Sequence, residues 1–455
     1  MYLCRNIYCM KRAFMIIIAA GMAMSLSAQR MTMDECMAYA VEHSVSVGKQ
    51  ENALDNACMN FRQSVASLFP SVSAGVSATT NFGRSIDPET NSYTTVSTFS
   101  NSYSLSASMP VFAGLRYVNG IRAAKVAKER GYNELQIARD MVAMEVMKAY
   151  IDVVYYKGAV EIAAEHLSAS RETLRQANKL YELGRKSAAE VAEVAAQEAN
   201  YEYLHVEQQN NLEMAWIRLR EVMNFPQDAG FDVVDEETAV YLSPSVPVED
   251  AVDYALENNS RVQSSNLAVK EYRLNYAKAK GSWFPTISLS AGINTNYYTN
   301  FSSSSLYPAF ASQFRNNAGE YVGVSMSIPI FSNMGRRASI RSSRNALRNA
   351  ELDRSATLNS VESEVVQACG RMEGFGKLYN SALKKVDASQ AAYDGIAAKF
   401  GNGLVTAIEL QTASTALLQA KSECLHSRLQ YLVEKRMVDY YCGLPFVQSN
   451  NNEQK

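Results

Sequence analysis

Two stretches of the chain, LFPSVSAGVSA (Leu68–Ala78) and WFPTISLSAGI (Trp283–Ile293), open in the same way. Each is an aromatic-proline pair followed by alternating apolar and small polar residues. Phe69-Pro70 and Phe284-Pro285 set an offset of 215 positions, and the same offset aligns Tyr39-Ala40 with Tyr254-Ala255. Further along, Pro110 in SASMPVFAGLR matches Pro329 in SMSIPIFSNMGRR at an offset of 219. Gly184 in LYELGRKSAAEV matches Gly403 in KFGNGLVTAIEL at the same offset of 219. Four landmarks in one order mark a tandem duplication. The period is far longer than the roughly 20–50 residues of a solenoid repeat, so the 455-residue chain holds two copies of one large unit.

Each copy begins with a helical stretch of about 35 residues (33–68 and 249–283) that ends where proline blocks further helix. Two alternating segments follow, expected as strands at 71–84 and 97–110 in the first copy and 286–299 and 320–331 in the second. Period two is the strand signature. Tyr103, Leu105, Ala107 and Met109 alternate with serines, as do Ile287, Leu289, Ala291 and Ile293 with Ser288, Ser290, Gly292 and Asn294. One face is apolar and the other carries small neutral groups. On alternation alone a soluble antiparallel sheet fits equally well. The strand lengths, the polar loops and an export signal decide for a membrane barrel with a wet lumen. Four strands are too few to close one, and an open edge in hydrocarbon leaves backbone groups unsatisfied. Several chains must therefore pool their strands.

Two proline-free runs follow, 114–183 and 334–402, each expected as one helix. At 1.5 Å per residue each reaches roughly 100 Å, and a pattern that long points to coiled-coil-like packing. A glycine hairpin then leads to a second helix, 186–224 or 404–441. The first copy thus covers 29–247 and the second 248–443, leaving a polar tail, 444–455.

The N-terminus reads as a secretory signal peptide, 1–28, with basic Lys11-Arg12, an apolar run of about 12 residues and small residues ending at Ala28. That run is short of the roughly 20 residues a membrane-spanning helix needs. Cleavage would remove three of the 44 basic residues and none of the 46 acidic ones, leaving a formal charge of −5. Nothing basic enough for nucleic acid is present. The five cysteines beyond the signal are odd in number and far apart, which fits isolated core residues and leaves room for one disulfide at most. The four histidines show no metal-ligand spacing, and phosphate loops and nucleophile elbows are missing. The reading is therefore of a non-enzyme without cofactor or metal.

This order of elements resembles the outer membrane efflux protein family, the channel-tunnels of the TolC type, over roughly 33–443. The pieces that carry it are MPVFAGLR, IPIFSNMGRR and the paired hairpins Tyr181-x-x-Gly184 and Phe400-x-x-Gly403. The resemblance implies an α+β membrane protein. Three chains would each give four strands to a 12-stranded outer membrane β-barrel, and their helices would form a periplasmic α-barrel. It implies a passive exit duct for an efflux or type I secretion system, a homotrimer in outer membrane lipid, and as partners a periplasmic adaptor protein and an inner membrane pump. By position, the adaptor-contact tips are Leu183, Gly184, Arg185 and Ser187, with Gly403, Leu404, Val405 and Thr406. The same glycines also serve simply to break helices. The periplasmic aperture falls at Glu190, Glu193, Glu409 and Thr412, where acids can ring an entrance or merely solvate a helix face. Val405 stands where such tips can carry an arginine bridging to the acid, and Arg185 or Lys186 can substitute. The rival reading is a non-conducting periplasmic coiled-coil spacer or adhesin.

Overall fold

The computed structural model describes residues 29–86, 91–95, 97–226, 230–235, 247–301 and 307–447. The expected signal peptide and most of the polar tail lie outside them, as do parts of the linker and of both strand-joining loops. In chain order the elements are β1 (Gln29–Met31), α1 (Met33–His43), α2 (Val45–Ala66), β2 (Ser71–Asn81), β3 (Arg84–Ile86), β4 (Tyr93–Thr95) and β5 (Thr98–Phe112). Then come α3 (Arg116–Glu182), α4 (Ala188–Met223), β6 (Phe231–Val233), α5 (Val248–Asn258), α6 (Ser260–Lys280) and β7 (Thr286–Asn300). The chain finishes with α7 (Phe310–Asn316), β8 (Gly319–Ser327), α8 (Gly335–Gly401) and α9 (Ala407–Tyr441).

The duplication is written into the backbone. Left-handed residues recur in matched positions: Gly114-Leu115 with Asn333-Met334, Gly184 with Gly403, and Asn224 with Gly443, all 219 apart. Only short side chains and glycine visit this region cheaply, yet Leu115 (φ 62°) and Met334 (φ 65°) hold it in both strand-to-helix turns. These two turns are the MPVFAGLR and IPIFSNMGRR segments. At the first, a Cβ on Gly114 would run into the carbonyl oxygen of Gly281, so the backbones touch there.

The chain divides into two compact units. The first comprises Gln50–Leu135 and Ser260–Asn359. It holds a four-stranded antiparallel sheet in the order β2-β5-β7-β8. Register keeps its two faces chemically distinct. Val72 and Val76 pair with Ala107 and Tyr103; Leu105 pairs with Ile293, and Leu289 with Val324. On the other face Ser73 meets Ser106, Ser108 meets Ser290, and Ser288 meets Ser325. The Ser73–Ser106 and Ser77–Ser102 hydroxyls bond across the strands at 3.0 and 2.6 Å. A bulge at Pro110–Phe112 absorbs the proline, which has no N–H to give the ladder.

The second unit comprises the described parts of Met1–Lys49, Gln136–Asn259 and Ser360–Lys455. Its interior holds Met37, Met147, Val153, Leu219, Val361, Val365, Leu429 and Val438, all nearly inaccessible. Here β1 and β6 pair in parallel. The Tyr150 hydroxyl sits across that pair, donating to the Val234 carbonyl oxygen (2.6 Å) and accepting from the Val234 N–H (3.0 Å). Among the described residues, no helix is long and apolar enough to cross a membrane.

Several features depart from the sequence reading. β2 ends at Asn81 rather than 84, and Arg84 opens the separate strand β3. Each 35-residue helix is two helices, broken at Ser44 (ψ 127°) and Asn259 (ψ 131°). At Ser44 the extended backbone lets the Oγ accept from the Val47 N–H (3.4 Å), so one residue ends α1 and caps α2. β8 stops at Ser327 rather than 331, since Pro329 has no N–H to give the ladder. The loop expected between β7 and β8 contains α7. From it Gln313 bonds both the N–H and the carbonyl of Tyr298, and Asn317 bonds the Asn296 carbonyl, covering the β7 edge that extends past β8. The five cysteines are all free.

Candidate functional site

The hairpin tips are built by two identical stop-and-start devices. At the first, the Gly184 N–H bonds the Tyr181 carbonyl (2.9 Å) and the Arg185 N–H reaches back to Leu180 (2.8 Å). At the second, Gly403 bonds Phe400 (2.9 Å) and Leu404 bonds Lys399 (3.0 Å). This is the Schellman closure, which needs a left-handed residue and therefore favours glycine. Gly184 and Gly403 supply it at φ 69° and 74°. Three residues on, each chain re-enters helix through a hydroxyl cap. The Glu190 N–H bonds Ser187 Oγ, and the Glu409 N–H bonds Thr406 Oγ1, each at 3.3 Å.

Two of the carboxylates expected at the aperture, Glu190 and Glu409, are engaged in those caps. Glu190 accepts from the Ser187 N–H (2.9 Å), from its hydroxyl (3.0 Å) and from Lys186 Nζ (3.3 Å), completing a capping box. These bonds, the backbone one first, hold its carboxyl below the usual range. Glu409 accepts from the Thr406 hydroxyl (3.2 Å). Glu193 and Thr412 are exposed one turn on, and the Thr412 hydroxyl is spent on the Ile408 carbonyl. Of the contact candidates, Leu183, Gly184, Arg185, Ser187, Gly403, Leu404 and Thr406 are exposed, while Val405 packs partly into the tip core. Tyr181 and Ile408 add to the exposed apolar surface.

On sequence alone Lys186 is no more than a substitute for the missing arginine. It is in fact the most constrained polar side chain at the tips, with only 4% of its side chain accessible. Its stem is buried, and its ammonium lies 4.2 Å from the centre of the Phe400 ring, on the other hairpin. Phe400 anchors a core with Ala177, Val194, Ala407 and Leu410. The signal was available in the repeat alignment: Lys186 occupies the position of Val405, so the second copy places an apolar residue where the first places a charge. Higher up, a buried polar cluster joins three helices. Tyr201 donates to Ser414 Oγ (2.8 Å), which lies 3.3 Å from His166 Nδ1.

The sheet is the second part of the site. Its edge strands are β2 and β8. All of β2 and nearly all of β8 is exposed, including Val72, Val76, Val322 and Val324. One chain thus offers an apolar face, a hydroxyl-lined face and two strand edges without partners in the sheet. No group of acidic, histidine or cysteine side chains suited to a metal occurs among the described residues.

The profile described as outer membrane efflux protein matches residues 38–224 and again 251–439. The chain is 22% identical over 342 residues to the outer membrane protein TolC of Escherichia coli (strain K12), covering 74% of this chain and 68% of that protein. It is 21% identical over 310 residues to the outer membrane efflux protein BepC of Brucella suis biovar 1 (strain 1330), covering 68% and 64%. Among solved structures, the Campylobacter jejuni CmeC outer membrane channel superposes with a TM-score of 0.80 at 14% identity, over 92% of this chain and 87% of that one. The Vibrio cholerae outer membrane protein VceC superposes at 0.77 with 16% identity, over 91% and 96%.

Proposed function

The chain belongs to the outer membrane efflux protein family, and on that premise we propose that three copies assemble into the passive exit duct of a tripartite efflux or secretion system. The observation that carries this reading is the two-faced sheet with open edges. A closed barrel is the only sheet that leaves no backbone group unpaired in lipid. Twelve strands from three copies close the wall, with β8 of one copy running beside β2 of the next. The apolar face then meets lipid and the serine face lines water. A passive duct takes its energy from a partner.

The partners follow from the tips. Leu183, Leu404, Tyr181 and Ile408 leave apolar surface on an otherwise polar hairpin end, which suits docking of a periplasmic adaptor that links to an inner membrane pump. Glu193 is the aperture carboxylate free to face a permeating cation, whereas Glu190 and Glu409 hold helix starts. A planar bilayer carrying the detergent-purified full chain tests the duct. The expected result is a trimer by mass that conducts stepwise current. A monomer soluble without detergent and silent in the bilayer would instead support the spacer.

A further inference from the structure

Both helices that leave the sheet begin against electrostatic convention. The first turn of a helix carries unsatisfied N–H groups and favours anions. α1, α4, α5 and α9 follow this, each placing an acid there. α3 and α8 have no acid in the first turn, a lack that α2, α6 and α7 share. α3 and α8 open instead with Arg116 and with Arg336-Arg337. From Gly335 to Ala350 the chain holds five arginines and not one acidic residue. Arg336 is engaged, donating to the Pro329 carbonyl (2.8 Å) and stacking 4.9 Å from the centre of the Trp283 ring. Arg337, Arg341, Arg344 and Arg348 recur at spacings of four, three and four, and so share one helix face. All four are exposed. None has a hydrogen bond or ion pair among the described residues, and the first acid along the helix, Glu351, comes only after Arg348.

What lies beside this face identifies its occupant. At the junctions between strands and helices stand Phe69, Phe112, Trp283, Phe284 and Phe331, all exposed. All belong to the same compact unit as the arginines. Aromatic side chains at strand ends mark the boundary between hydrocarbon and headgroups. We propose that the face formed by Arg337, Arg341, Arg344 and Arg348 is a docking surface for the phosphates of anionic phospholipid in the leaflet next to the helices. Arg337 follows Arg336, whose guanidinium lies over Trp283 of that aromatic rank; Arg341 and Arg344 lie about 6 and about 10 Å further along the helix, within about a Debye length, and Arg348, about 16 Å along, is the outermost of the four. Guanidinium is the cation that grips phosphate through two parallel bonds, and basic clusters at a membrane boundary attract acidic lipid.

The inference rests on the membrane placement of the strands given above. Its test uses the full chain purified in detergent and offered dioleoyl phosphatidylglycerol or dioleoyl phosphatidylcholine, with bound lipid counted by native mass spectrometry. The wild type should retain the anionic lipid in preference. The quadruple substitution R337S/R341S/R344S/R348S should lower that preference at least about tenfold, and the quadruple lysine variant, which keeps the charge and loses the two-pronged grip, should keep it only in part. Equal retention of the two lipids by the wild type, or an unchanged preference in the serine variant, overturns the proposal. So does a serine variant whose lipid binding is intact but whose bilayer reversal potential moves, because the arginines would then line the bore. A wild type that binds the acidic lipid but carries no current would sink the duct and leave the lipid surface standing.

Discussion

A single lysine shows how much the two copies have diverged at their tips. Lys186 places an ammonium against Phe400 and Glu190 with almost no access to water. A cation over an aromatic face contributes about 1 kcal/mol, more when desolvated. Lys186→Met keeps the stem's packing and removes the charge. The expected outcome is loss of about 1–2 kcal/mol of local stability, read as faster amide exchange across Leu183–Glu190 and Phe400–Thr406. Unchanged exchange at both hairpins would show that the charge does not join them. His166 adds a pH dependence. Burial first, then nearby Lys421, hold its imidazole below the ordinary 6.5, with Glu165 opposing. As pH falls, the unfolded chain therefore takes up this proton before the folded one does. Stability present above the mid-sixes is lost as pH drops toward the lowered folded value. A melting series between about pH 7.5 and 5 should fall less steeply for His166→Gln than for the wild type. Identical slopes would remove His166 from the explanation.

Helix ends, more than helix interiors, decided what was legible in the chain. Gly184 and Gly403 were readable because few residues close a Schellman turn, and their spacing of 219 made each the witness of the other. The next link carries two meanings in the sequence. Ser187-x-x-Glu190 and Thr406-x-x-Glu409 have capping-box spacing, and the same carboxylates fall at the expected aperture. The geometry makes them helix starters first. Ser187→Ala and Thr406→Ala should each cost about 1 kcal/mol, seen as fraying of the first turn of α4 or α9 by exchange. No fraying in either would return both glutamates to the pore. The breaks at Ser44 and Asn259 were hidden because neither proline nor glycine marks them. Serine and asparagine there act through an extended backbone, which hydrophobic periodicity does not report. The β1–β6 pair was hidden for another reason. Three-residue strands about 200 positions apart carry too little alternation to register, and Tyr150, which ties them, reads as one more apolar helix position.

At the scale of the molecule, the wall was legible because period two fixes which face each residue takes. A slip of one position in any strand would turn its apolar residues onto the serine face, and the pairing from Val72 to Val324 keeps them in register across all four strands. What the sequence left unsaid was how the upper edge of β7 is covered, since the amides of Gln313 and Asn317 look like ordinary loop polarity until α7 brings them to the strand. The two faces yield an opposed pair of outcomes at adjacent positions. Val324 lies on the apolar face of the edge strand β8, and Ser325 on the polar face. Arginine at a lipid-facing barrel position costs about 2–4 kcal/mol at mid-membrane, and a trimer bears it three times. Val324→Arg should therefore abolish recovery of the trimer from outer membranes. Ser325→Arg, pointing into water, should assemble normally and shift the channel's reversal potential toward anions. If the two variants exchanged behaviours, the serine face would be the one against lipid. If both assembled with unaltered current, the sheet would not be lining a bore at all.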